Sequence, residues 1–205
     1  MSSSHFQTNP DDPFPELIPC NLTGAYPPVT LLRITPIQRG PVGSFKVRNT
    51  LLRMLNRMAE HPVSLEETPM GPRLITPVRE TIPHLSLSYA ARDAWVALRM
   101  DGPVGVDAVS LADLPPWEER QALAELYFEA RTTAHLKQND WDALCFAREW
   151  AAYEARCKLA SIALAEEAPP PPALIREIQW EDTVVVIALP RPQRCMRRLK
   201  CDDSP

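Results

Sequence analysis

Proline sets the outline of this chain. There are 23 prolines in 205 residues, about twice the usual share of roughly 5%, and none falls between Pro116 and Pro169. A proline ring removes a backbone N–H and clashes with the preceding helical turn, so helices belong where prolines are absent. The proline-rich stretch 1–42 reads as an irregular N-terminal segment with one possible strand, Val29-Thr30-Leu31-Leu32-Arg33-Ile34.

From Ser44 to about Glu60, Val47, Leu51, Met54, Leu55 and Met58 recur with the spacing of one helix face. Ser44 is the expected N-cap, and Lys46, Arg48, Arg53 and Arg57 line the other side as a solvated face. Pro83 to Tyr89 alternates apolar and polar residues as a half-buried strand does. Ala94 to Arg99 and Pro103 to Val109 flank Asp101-Gly102, a turn dipeptide, which predicts a hairpin with Asp107 near the exit of a central strand. A helix is predicted from Trp117 to about Arg131, opened by Pro116. A second runs from an Asp140 cap to about Ala165, before the stiff connector Pro169-Pro170-Pro171-Pro172. Strands at 175–180 and 183–189 and a polar, mobile tail at 191–205 complete the reading.

An apolar content of 45% suffices for a substantial core. The formal charge of −4 argues against a general nucleic-acid binder, which would need excess Lys and Arg to neutralise phosphates. No apolar run approaches the roughly 20 residues of a membrane span, and Met1 to Phe6 lacks the features of a signal peptide, so a cytoplasmic protein with no membrane partner is expected. The five cysteines are scattered, with no C-x-x-C pair, and fit reduced thiols.

Two distant segments carry the chemistry. Gly105-Val106-Asp107-Ala108-Val109 places a carboxylate in an apolar strand, and Phe146 to Lys158 sets Trp150, Glu154 and Lys158 on one helical stripe. Together they could hold one metal ion. Taken alone, Glu154 and Lys158 at i and i+4 are an ordinary surface ion pair of roughly 0.3–0.5 kcal/mol. Ala147, Ala151 and Ala155 beside them would let another element approach closely. There is no G-x-S-x-G elbow, no phosphate loop ending in G-K-[ST], and no G-x-G-x-x-G run. His5, His61, His84 and His135 lack metal-ligand spacing.

The order of these segments resembles that of the 4′-phosphopantetheinyl transferases of the surfactin-synthetase-activating type, over residues 44–190. That family carries a strand ending in "SHS", a hairpin ending in "G-[IV]-D-x-E" and a helix with "W-x-x-K-E-x-x-x-K". The counterparts are Leu85-Ser86-Leu87-Ser88, Gly105 to Val109, and Trp150 to Lys158. Leu87 replaces the family histidine, Val109 the second acid and Tyr153 a lysine, while the "G-K-P" element becomes Met70-Gly71-Pro72-Arg73.

The resemblance implies an α/β (α+β) fold of two similar halves related by a pseudo-twofold axis, residues 43–110 and 111–190, with the active site in the cleft between them. It implies a Mg²⁺-dependent enzyme, with Mn²⁺ as substitute, that moves the phosphopantetheine arm of coenzyme A to a serine of an apo acyl or peptidyl carrier protein. Asp107 and Glu154 would bind the metal, with Glu154 and Lys158 catalytic. Arg48, Arg73, Ser86, Ser88 and Lys158 would contact coenzyme A, and two internal halves suit a monomer. His84 and Arg79 are the nearest substitutes for the missing histidine. The alternative is a relative that binds a carrier protein or coenzyme A without transfer.

Overall fold

The computed structural model describes residues 14–19, 28–38, 40–69, 71–77, 82–166 and 169–191. The tail expected at 191–205 lies, beyond Arg191, outside these residues, as does Arg79. The chain is a mixed α+β fold. Its strands are β1 (Phe14–Ile18), β2 (Thr30–Thr35), β3 (Ser64–Thr68), β4 (Gly71–Ile75), β5 (His84–Ala90), β6 (Asp93–Arg99), β7 (Gly105–Ser110), β8 (Leu174–Trp180) and β9 (Thr183–Leu189). The helices are α1 (Pro41–Met58), α2 (Trp117–Tyr127), α3 (Ala130–Gln138) and α4 (Ala143–Ala160). Among the described residues there are three sheets, ordered β1-β2-β6-β5, β3-β4 and β7-β9-β8, and every ladder is antiparallel.

Helix α1 covers the outer face of the four-stranded sheet, where Val47, Leu51 and Leu55 pack on Leu32, Ile34, Val96 and Leu98. Burying each such side chain contributes about 1.5–3 kcal/mol. That packing, with Pro41 in the first turn, starts the helix without a side-chain cap. The N-cap is Gly40, so Ser44 lies inside the helix, and Met58, at its end, is exposed. Between the large sheets Leu31, Trp95 and Ala97 meet Val106, Val185 and Ile187 in a second core. The Arg33 guanidinium, 5.2 Å from the Trp180 ring and bonded through Nε to Asp93 at 2.9 Å, ties the sheets together. Helix α4 covers the far side of the second sheet with Ala147, Ala151 and Ala155 on Val184, Val186 and Ala188.

Several expectations change here. β1 lies in the proline-rich segment read as irregular and pairs with β2 from Phe14↔Thr35 to Ile18↔Leu31, so part of residues 1–42 belongs to the first sheet. The hairpin placed at Asp101-Gly102 does not form. β6 pairs instead with β5, through a two-residue turn at Ala91-Arg92. β7 pairs with β9, so the second sheet begins before residue 111. Gly102, at φ +125°, turns the chain from one sheet to the other. The helix expected from Trp117 to Arg131 stops at Tyr127, and Phe128 turns inward against Phe146 and Trp150 before α3 begins. The cap of α4 is Asp142 rather than Asp140, its carboxylate accepting the Cys145 N–H at 2.9 Å. The helix ends at Ser161 in the left-handed conformation, short of Ala165. Among the described residues no helix is long and apolar enough to cross a membrane.

Candidate active site

Gly105 brings the two chemical segments together. A Cβ at this residue would lie 1.9 Å from the Ala155 carbonyl oxygen and 2.8 Å from the Leu159 nitrogen, so only glycine lets β7 run this close to the α4 backbone. The fully buried Ala147, Ala151 and Ala155 provide the matching flat face. Two residues along β7, Asp107 is buried under α4. Lys158 Nζ donates to Asp107 Oδ1 at 2.7 Å and to the Val106 carbonyl at 3.1 Å. Lys158 therefore turns to the strand, and the surface ion pair that its spacing from Glu154 suggested is not its main engagement. An ammonium has three donors. Lys158 also lines a cavity of about 650 Å³, together with Arg73, His84, Ser86, Leu87 and Ser161.

Half-buried Glu154 sits beside Asp107, and its carboxyl is pushed up to about 7. Loss of solvation is the first cause and the negative charge of Asp107 the second; Lys158 and a hydrogen bond with Trp150 pull the other way. Trp150, present in the motif but given no role by sequence, is held by rings on several sides, stacked on Phe146 at 5.9 Å and edge-on to Tyr127 at 5.6 Å.

β5 runs along the free edge of β7 without a backbone ladder. Ser86 Oγ accepts the Val106 N–H at 2.9 Å, and Ser88 Oγ accepts the Ala108 N–H at 3.2 Å. Ser88 also donates to Asp107 Oδ1 at 2.7 Å. Both serines are buried. The sequence reading gave them to coenzyme A; the structure commits their hydroxyls to β7, with Ser86 still bordering the cavity. Leu87, on the opposite side of the strand, packs against the core beneath α1.

The two arginines separate. Arg73 borders the cavity and pairs with Glu66 across the β3–β4 hairpin. Arg48 does not line it: its Nε and Nη2 reach Glu67 at 2.5 and 3.2 Å, and Nη1 reaches the Tyr89 hydroxyl at 3.5 Å. His84 also borders the cavity.

At the other end of the β5–β7 seam lies a cavity of about 570 Å³, lined by Tyr89, Val109, Ser110, Leu114, Phe146 and Trp150. Val109 packs among the apolar residues against α4. Lys158 borders the first cavity and Trp150 the second, while neither Asp107 nor Glu154 lines either.

Among the described residues no three His, Cys, Asp or Glu side chains converge, so a cation beside Asp107 and Glu154 would have these two carboxylates as its protein donors. That donor set fits Mg²⁺, which is often held by one or two carboxylates with water and substrate phosphates completing the octahedron. The charge of Asp107 raises the proton affinity of Glu154, and a divalent cation would relieve the same repulsion. A scan against protein-family models gives no match, and a search of the curated proteins gives none.

Proposed function

We propose that this chain transfers the 4′-phosphopantetheine arm of coenzyme A to a serine hydroxyl of an apo acyl or peptidyl carrier protein, in a Mg²⁺-dependent reaction. The observation that carries the reading is the meeting of Asp107 with Glu154 and Lys158, residues 51 apart in the case of the Asp107–Lys158 bond, in the motif order of that family. Two further features support it: the cavity beside Lys158, and the 18-residue helices α1 and α4, each laid on an antiparallel sheet. The pseudo-twofold relation of the halves belongs to this proposal.

Glu154, with a proton affinity near neutrality, accepts the proton of the carrier serine. The serine oxygen then attacks the phosphorus that bears pantetheine. A new P–O bond forms, the pyrophosphate P–O bond breaks, and adenosine 3′,5′-bisphosphate departs. Lys158 keeps Asp107 in place and gives its third N–H to the phosphate oxygens. Mg²⁺ bound by Asp107 and Glu154 would supply neutralisation of the charge spread over those oxygens. His84 and Arg73 line the space for the nucleotide end.

The test is incubation with Mg²⁺, fluorescently labelled coenzyme A and a panel of apo carrier proteins, read by gel fluorescence and mass spectrometry. Labelled carrier, lost with Glu154→Gln and requiring more Mg²⁺ with Asp107→Asn, is the expected result. Coenzyme A or carrier binding with no transfer to any carrier would replace this reading with that of a non-catalytic binding relative.

A further inference from the structure

The geometry points to Ser88 as the positioning residue that makes Asp107 a one-oxygen ligand, an inference that rests on the metal pair of the proposed transferase. Both hydrogen-bonding directions of the Ser88 hydroxyl are fixed. Its oxygen accepts the Ala108 N–H at 3.2 Å, so its proton turns to Asp107 Oδ1 at 2.7 Å. Lys158 donates to that same oxygen at 2.7 Å. With two donors on Oδ1, one of them charged, Oδ2 is the oxygen left for a cation, which would come between Asp107 and the Glu154 carboxyl hydrogen-bonded to it in the metal-free protein. The carboxylate cannot rotate to present both oxygens without breaking a buried hydrogen bond and an ion pair.

The arrangement requires the two sheets to meet as they do. A regular ladder between β5 and β7 would pair the Val106 and Ala108 N–H groups with carbonyls. Here Ser86 and Ser88 receive them instead. Ser86 provides the internal contrast, because it makes the same kind of bond to β7 but none to Asp107. Removing either serine weakens the seam, whereas only Ser88 sets the carboxylate.

The test is Mn²⁺ binding to the full chain, with free Mn²⁺ followed by electron paramagnetic resonance, and thermal melts run alongside. Ser88→Ala should weaken Mn²⁺ binding about tenfold or more, the usual effect of removing a group that orients a metal ligand. Ser88→Thr, which keeps the hydroxyl, should restore binding to near the wild-type level, and Ser86→Ala should leave it there. Wild-type affinity in a folded Ser88→Ala variant would overturn the inference, as would an equal loss in Ser86→Ala. If Ser88→Ala shows no cooperative melt, Ser88→Cys takes its place, since it keeps the volume and donates poorly, and the same two outcomes decide. Mn²⁺ bound by wild type and lost in Asp107→Asn, with Ser88→Ala unchanged, would sink the role of Ser88 alone. No Mn²⁺ binding by wild type would take the metal pair and the role of Ser88 down together.

Discussion

Replacing Glu154 with glutamine should stabilise the metal-free protein above neutral pH while abolishing transfer. The Glu154 carboxyl is raised from an ordinary 4.5 to about 7 by burial and by Asp107. Between those values the folded state holds a proton that the unfolded chain has released, so native stability falls as pH rises through that window. At about 1.36 kcal/mol per pH unit the full effect would be roughly 3 kcal/mol. Partial access of water to the side chain reduces it to about 2 kcal/mol. The amide cannot ionise, so this term is absent from the variant. Urea titrations in EDTA at pH 5, 6, 7 and 8 should show the stability of Glu154→Gln relative to wild type increasing by about 2 kcal/mol across the series. Excess Mg²⁺ should reverse the trend for wild type, because the cation binds the ionised pair and not the unfolded chain. A stability difference that stays flat from pH 5 to pH 8 would refute the reasoning, since Glu154 would then be an ordinary solvated carboxylate.

Gly105→Ala places a methyl 1.9 Å from the Ala155 carbonyl; it should cost on the order of 3 kcal/mol in urea titrations by forcing α4 away from β7, with transfer activity falling further than the melt alone accounts for. Val109 shares its face of β7 with Asp107 but packs among apolar residues, so Val109→Glu should lose about 2 kcal/mol in EDTA. Melts with Mn²⁺ should recover more of that loss than wild type gains, and no such recovery would remove Val109 from the metal's surroundings. Arg73→Ala breaks an exposed ion pair and should change stability by less than about 1 kcal/mol. A several-fold rise in the KM for coenzyme A, with kcat retained, would then report a lost ligand contact, whereas unchanged kinetics would confine Arg73 to holding the hairpin.

The alternation of Pro83 to Tyr89, the stripe of Val47, Leu51 and Leu55 and the proline-free interval were legible in the sequence because each reflects a local periodicity. The three-residue set of Asp107, Glu154 and Lys158 was legible too, through motif order. Which strands pair was not. Asp101-Gly102 has the composition of a hairpin turn and closes none, whereas Ala91-Arg92 and Glu181-Asp182 do close hairpins. At these, Ala91 and Glu181 take φ values near +50° that their residue types do not announce. Strand choice was decided by the burial of Trp95 and Ala97 against Val106 and Ile187, a match between segments far apart in the chain.

The break after Tyr127 and the cap at Asp142 likewise depend on neighbours, since Phe128 leaves the helical path to pack on Phe146 and Trp150. What the sequence determined by itself was part of the inventory: α1, α4, β2, β5, β8 and β9 as helical or extended, and which side chains hold the charge, whereas β1, β3, β4 and the division of α2 from α3 came from the tertiary structure. Only the tertiary structure decided how that charge is arranged. The reason is physical: a carboxylate's proton affinity depends on the water it has lost and the charges brought beside it. Glu154 acquires both only when Gly105 lets α4 descend onto β7.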